Sequence, residues 1–327
     1  MAMTRIRSRM AILVCLVLAA FATGCSDSTS SKAPGALEKD TITVASLPLL
    51  DAAAVHIALS HNFFRDEGLD VKIEPVAQSI AALPALKNGQ LDIIAGANYV
   101  TFLQAHESGA LKLKIIADGA AEAPRFMQLL VLPDSPITKP KDLEGRTVAV
   151  NILNNIQSLT LNAILKANNV DPAKVKYLAV QFPLMDKALA NHDVDAVHTG
   201  EPFGTVFQRK LGARMVIDGG GPPVTGLPVS GYVATEDFVA KYPKTAAAFQ
   251  RAIEKAQALA AGDRSQVESV LPSYAKVDAQ TAKTLIFPTY PTSLDPARLQ
   301  RLSDLMLQDG LLKSPLDVTG VIFAPQR

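Results

Sequence analysis

The sequence predicts an α/β protein of two similar lobes, each with its own sheet, and two observations carry this. Between residues 41 and 235 short β-branched runs alternate with helical stretches, which marks parallel strands covered by helices. The chain also repeats itself. Ala85-Leu86-Lys87-Asn88-Gly89-Gln90-Leu91-Asp92-Ile93 aligns with Ala188-Leu189-Ala190-Asn191-His192-Asp193-Val194-Asp195-Ala196, with identities at Ala, Leu, Asn and Asp in register. Each copy reads as a helix end, a tight turn and a strand, then a loop, a helix and a strand ending at Asp118 or Asp218. Helix–turn–strand units resemble one another generally; the matching context on both sides favours duplication of one supersecondary unit.

The first 24 residues stand apart. Arg5, Arg7 and Arg9 form a basic start, and the apolar run over 10–21 is shorter than the roughly 20 residues of a membrane span. It fits the apolar core of a secretory signal. Ala22-Thr23-Gly24-Cys25 resembles a bacterial lipobox, with Ala22 where Leu is usual, and this implies diacylglycerol on Cys25. The alternative is an ordinary signal peptide that contains a cysteine. Residues 25–39 follow, rich in Ser, Thr, Ala, Pro and Gly, and read as a flexible tether.

Strands are predicted at 41–45, 70–75, 91–95, 113–117, 126–132, 147–150, 175–180, 194–198, 214–217 and 231–235. Helices are predicted at 52–61, 99–107, 157–168 and 203–210. Beyond Glu236 the pattern is helical, including 243–261 and 296–309. With 48% hydrophobic residues there is material for two cores. Of the two cysteines, Cys15 falls in the signal and Cys25 at the lipobox, which leaves no sulfur for a disulfide, a thiol nucleophile or a metal. Without the three leading arginines, the balance of 32 basic and 31 acidic residues turns slightly negative, and no basic patch recommends nucleic acid.

The repeat points at a site. In open α/β sheets, ligands sit beyond the carboxyl ends of strands, where helix N-termini offer unpaired N–H groups. The equivalent loops are Gly96-Ala97-Asn98 and Thr199-Gly200-Glu201-Pro202, which put Asn98 and Glu201 at matching positions, one per lobe. Read as exposed polar residues, both belong to the ligand and not to the fold, so Glu201→Ala is expected to weaken binding and leave folding nearly untouched. Arg125 is either a charge for a ligand near the hinge or a solvated arginine. His56 and His198 read as structural. Gly219-Gly220-Gly221-Pro222-Pro223 lacks the Lys-Ser/Thr of a phosphate loop and reads as a mobile connection. Asp92 and Asp195 read as residues that tie down turns.

Four segments in order carry a resemblance. His56-Ile57-Ala58-Leu59-Ser60-His61-Asn62-Phe63-Phe64-Arg65-Asp66-Glu67-Gly68-Leu69-Asp70-Val71, Leu143-Glu144-Gly145-Arg146-Thr147-Val148-Ala149-Val150, Val194-Asp195-Ala196 and Glu201-Pro202-Phe203 resemble the nitrate/sulfonate/taurine-binding (thiamine-pyrimidine synthase-like) family of ABC-transporter substrate-binding proteins. The likeness runs from about Ile42 to the C-terminus. It implies the type II periplasmic-binding-protein fold, with lobe one at 40–130 plus 232–327, lobe two at 135–230, and a two-segment hinge near 132–134 and 230–233. It further implies a monomeric, lipid-anchored solute receptor at the outer face of the membrane. Such a receptor closes on a small polar solute, docks on ABC permease subunits, and carries no cofactor or metal. The ligand set expected is Leu50, Asp51, Gln78, Asn98, Asn151, Asn154, Asn155 and Glu201.

The loop 151–158 offers amides and helix N–H groups but no Lys or Arg, so a sulfonate, taurine or nitrate would rest on N–H donors alone. Glu201 would repel such an anion, which favours a zwitterion or a heterocycle bearing donors. Alternatives are a binder of a thiamine-precursor-like pyrimidine, or an enzyme on the same fold. Against the enzyme, the chain lacks the cysteine cluster of the pyrimidine synthases, and its loop Asp51-Ala52-Ala53-Ala54 lacks their histidine.

Overall fold

A computed structural model describes residues 36–325. The expected signal peptide, the Cys25 anchor and the first part of the tether lie outside the described residues. The end of the expected tether is docked. The Lys39 ammonium lies 2.6 Å from Asp92, and Glu38 accepts from the N–H groups of Lys244 and Thr245. The folded body therefore starts near Leu37, because Glu38 caps a helix that has no cap of its own.

The first sheet is built from β1 (Thr41–Ser46), β2 (Asp70–Pro75), β3 (Ile93–Asn98) and β4 (Leu113–Ala121). Between these strands lie α1 (Ala53–Ser60), α2 (Phe63–Asp66), α3 (Leu83–Lys87) and α4 (Tyr99–Glu107). The chain then crosses to the second sheet: β5 (Met127–Val131), β6 (Thr147–Val150), α5 (Ile156–Ala167), β7 (Lys176–Ala179), α6 (Met185–Ala190), β8 (Ala196–Gly200), α7 (Phe203–Leu211) and β9 (Arg214–Asp218). It returns through β10 (Pro228–Thr235) and ends in α8 (Glu236–Lys241), α9 (Pro243–Gly262), α10 (Arg264–Tyr274), α11 (Ala279–Ala282) and α12 (Pro296–Gln308).

The sheet orders are β2-β1-β3-β10-β4 and β7-β6-β8-β5-β9. They correspond strand for strand. In each, the fourth strand is antiparallel to both neighbours and arrives from the other sheet. The repeat has a structural counterpart in its aspartates. Asp92 accepts from the Thr43 N–H at 2.9 Å, and Asp195 accepts from the Thr147 N–H at 2.8 Å, so each copy clamps the first strand of its own sheet. These clamps also explain why β3 and β8 begin two residues later than their patterns predict: Leu91-Asp92 and Val194-Asp195 belong to the turn.

On the first sheet α1 packs against α9, both lined with small residues. Phe249 of α9 meets Phe64 at 5.2 Å and the edge of Tyr232 at 5.8 Å between ring centroids. Each fully buried aromatic of this kind contributes about 1.5–3 kcal/mol of apolar transfer free energy.

The two crossings differ from expectation. Because β5 pairs with β8 and β9, the first crossing lies at 122–126, not at 132–134, and an assignment of residues up to 130 to lobe one runs past it. The second lies at 219–227, since β10 joins the first sheet from Pro228. Glu122 and Leu227 join the crossings by an N–H···O bond of 2.8 Å, and Gly226 returns another to the Glu122 carbonyl at 2.8 Å. The small residues Gly119, Ala120 and Ala121 extend β4 beyond its β-branched run. A side chain at Gly119 would sit 2.9 Å from the Ser230 carbonyl, so only glycine lets β4 and β10 approach there. Among the described residues no helix is long and apolar enough to cross a membrane.

Candidate functional site

Four strand-to-helix junctions meet between the two sheets: the turn after β1, the end of β3, the loop after β6 and the end of β8. They enclose a chamber of about 50 Å³ to which both lobes contribute, including Asp51, Ser79 and Asn98 from one side and Asn151, Asn155 and Glu201 from the other. This is enough room for a compact polar group and more than a water molecule requires.

The β6 loop is held by Gln157. Its Oε1 accepts from the Asn151 N–H at 2.8 Å and from Asn155 Nδ2 at 3.0 Å, while its Nε2 donates to the His198 carbonyl on β8. Asn155 caps α5: its side chain accepts from the N–H groups of Gln157 and Ser158, and its own N–H donates to Ser158 Oγ at 3.2 Å. This reciprocal cap fixes the loop in one conformation. Asn98 caps α4 one-sidedly, its Oδ1 accepting from the Thr101 N–H at 3.3 Å, and its own N–H donates to Ser79 Oγ at 3.4 Å.

Asp51 sits in a tight turn, Leu50–Ala52, ahead of α1, and is 5% exposed. Oδ2 accepts from Ser230 Oγ at 2.6 Å, whereas Oδ1 has no partner. Burial outweighs the Ser230 hydrogen bond and pushes its carboxyl up to about 6.

Glu201 is fully buried, and both of its oxygens are occupied. Oε1 accepts from Thr205 Oγ1 at 2.7 Å, from the Ile286 N–H at 3.3 Å and from Gln128 Nε2 at 3.4 Å; Oε2 accepts from the Thr205 N–H at 2.9 Å. Burial raises its pKa, while the Thr205 bonds oppose the rise. The expectation of an exposed residue spare to the fold is corrected here. The carboxylate caps α7 and ties the second lobe to the segment before Phe287.

The remaining expected residues divide. Gln78 lies beside the chamber and bridges the lobes, Nε2 donating to the Asn151 carbonyl at 3.0 Å. Asn154 is exposed, in the left-handed region at φ 56°, and its carbonyl accepts from Gln104 Nε2 at 2.8 Å. Leu50 is buried, offering only its carbonyl to the Tyr290 hydroxyl at 3.0 Å. Arg125 is exposed on the first crossing, its N–H donating to Asp218 at 2.6 Å. His198 is buried and held neutral, its pKa lowered to about 4, with Nδ1 at 2.9 Å from the Gln157 carbonyl.

The sequence reading missed Ser79, Met127, Gln157 and Glu122. The Asn155-x-x-Ser158 pattern was a visible cap signal that pointed to the β6 loop. Glu122 gave no signal. It is fully buried on the first crossing with neither carboxylate oxygen partnered, and burial beside Asp218 and Asp51 lifts its pKa well above the usual range.

Next to the chamber opens a larger vestibule of about 600 Å³; Leu47, Leu49 and Phe182 line both spaces. Its walls carry two stacked ring pairs, Phe182 on Phe203 at 5.3 Å and His56 on Tyr274 at 3.8 Å. His56 is tied to Ser46 Oγ at 3.1 Å, and burial lowers its pKa to about 4.

Two five-stranded sheets joined by paired crossings around a cleft define a protein of the periplasmic-binding-protein fold. Residues 50–266 match the family described as NMT1/THI5 like, and the chain belongs to that family. It is 24% identical over 216 residues to YtlA, a candidate binding protein of Bacillus subtilis strain 168; the alignment takes in 63% of this chain and 61% of that one, under two thirds of its length. Among solved structures, the alkanesulfonate-binding protein SsuA of Xanthomonas axonopodis pv. citri, bound to MOPS, superposes with TM-score 0.73 at 18% identity, covering 88% of this chain and 99% of that one. The periplasmic nitrate-binding protein NrtA of Synechocystis PCC 6803 gives 0.74 at 16% identity, covering 88% and 87%.

Proposed function

We propose that the chain is the extracytoplasmic solute receptor of an ABC importer, capturing a small polar solute between its lobes and delivering it to permease subunits as a monomer. The observation that carries this reading is the chamber itself, walled by strand-end loops of both lobes. A solute there touches both halves, so its binding free energy favours the closed arrangement over an open one. Closure about the crossings at 122–126 and 219–227 fits the latches across the cleft. Gln78 to Asn151, Gln104 to Asn154 and Ile286 to Glu201 are hydrogen bonds, each with a net contribution of about 1 kcal/mol, a scale that ligand binding can offset.

The chamber suits binding better than turnover. Among its lining residues the one hydroxyl, Ser79, has no histidine, lysine or cysteine beside it to act as base or partner nucleophile. SsuA and NrtA, by their names, take a sulfonate and nitrate, which supports a small solute as the cargo class here.

Gly200 offers the test. A side chain added there meets only Met127 Cγ, at 4.0 Å, and grows into the chamber it lines. In a thermal-shift panel of sulfonates, nitrate, amines and aminopyrimidines, a solute at 100 times its Kd should add about 2.7 kcal/mol of stability to the wild type. Gly200→Val should melt like the wild type without solute and show no such shift. Equal shifts in both proteins would place the site elsewhere.

Anchorage is part of the same proposal: Cys25 carries diacylglycerol and holds the receptor at the outer face of the membrane. Cys25→Ser should leave the membrane fraction or stay unprocessed. A serine variant processed and retained like the wild type would refute the anchor.

A further inference from the structure

We propose that the cleft selects a cation: a protonated amine or amidinium head seated against Asp51, on an apolar body that fills the vestibule. This rests on the receptor reading and assigns its ligand class.

The chamber's polar lining consists of two carboxylates, Asp51 and Glu201, one serine and four amides; among the described residues lining it there is no Lys, Arg or His. The two carboxylates are not equivalent. Glu201 already receives four donors from Thr205, Ile286 and Gln128, so it has little acceptor capacity left for a ligand. Asp51 receives one, from Ser230, and its Oδ1 is buried without a partner. An unpartnered buried carboxylate oxygen is costly, and an N–H donor with positive charge removes that cost most fully. Gly96 keeps the approach open, since a side chain there would stand 3.6 Å from Asp51 Oδ2.

Among the described residues, the surroundings supply Asp51 with no compensating positive charge. Glu122 lies close enough to Asp51 and to Asp218 to feel both carboxylates, and burial keeps it protonated. The positive group acting on Glu201 is Arg125, which is exposed. An anion would have to displace water from N–H donors while facing these carboxylates.

The vestibule supplies the second half. At about 600 Å³ it exceeds the chamber many-fold, and its walls are mainly leucine, proline and aromatic side chains from both lobes, with exposed Lys276 among its lining. A head bound in the shared region by Leu47, Leu49 and Phe182 would direct its body between the Phe182–Phe203 and His56–Tyr274 stacks. A bare inorganic ion would leave that space unused.

The test compares matched probes on the full chain: benzylammonium, benzamidinium and phenethylammonium against benzoate, benzenesulfonate and nitrate, by thermal shift and then calorimetry. The cations should stabilise the wild type and the anions should not. Asp51→Asn, which keeps an oxygen for Ser230, should weaken the cations at least tenfold, with its own melt run to show that it is folded. The charge comparison on the wild type stands whatever that variant does. Anions binding in preference to cations, or cations whose affinity Asp51→Asn leaves within twofold, would overturn the assignment. If anions bind the wild type but not Gly200→Val, the cation claim fails and the receptor reading stands. If no probe binds and no small molecule is released from natively purified protein, both fail.

Discussion

Alanine in place of Glu201 should lower the melting temperature of the ligand-free protein by roughly 6–12 °C, a larger effect than any on ligand affinity. The fully buried carboxylate holds Thr205 Oγ1 and N–H, the Ile286 N–H and Gln128 Nε2. Its removal strands several buried donors, each worth about 1–3 kcal/mol when unsatisfied and not additive. A total of about 3 kcal/mol, at roughly 2–4 °C per kcal/mol for a domain of this size, gives the expected shift. Asn98→Ala should cost only about 1 kcal/mol, the value of one helix cap. An apo melt separates the two readings of Glu201. A variant within 2 °C of the wild type that has lost ligand affinity would return Glu201 to the role the sequence first gave it.

Gly220→Ala should be at least as damaging, for a steric reason. A Cβ there would stand 2.0 Å from the Ala123 carbonyl oxygen and 2.9 Å from Glu122 Oε2, so one crossing must move by about an ångström against the other. The cost is about 3 kcal/mol in stability, together with a displaced crossing. Gly226, on the same crossing, is the control. It adopts φ +74° with open space around it, so its alanine variant should pay only the backbone strain of about 1 kcal/mol. The comparison calls for melts of both variants and small-angle scattering with and without ligand. Similar melts for the two would show that the crossings are not in contact as described.

The architecture was legible because it rests on local pattern. β-branched runs marked all ten strands of the described residues, and Asp92 and Asp195 betrayed the duplicated unit that the two clamps on Thr43 and Thr147 now explain. Strand ends were less legible where backbone approach decides them: Gly119 and Pro228 carry no β-branched signal, yet they set where β4 and β10 run side by side. The crossings were misplaced for the same reason, since membership of β5 in the second sheet is a matter of long-range pairing.

At the site, register put Asn98 and Glu201 at equivalent strand ends, and both line the chamber. Burial was what register could not supply. Whether a carboxylate meets a ligand or a ring of protein donors depends on segments far away in sequence, such as Ile286 for Glu201 and Ser230 for Asp51. Glu122 was invisible on these grounds: nothing near it in the chain distinguishes a buried carboxyl from a solvated one.

The most direct measurement is a calorimetric titration of the small molecule released from natively purified protein, into the wild type and into Gly200→Val. One site per wild-type chain, binding at least a hundredfold weaker in the variant, and ligand recovered unchanged are the results expected of a receptor with its solute between the lobes. Equal affinity in the two proteins, or conversion of the ligand during the titration, would contradict it.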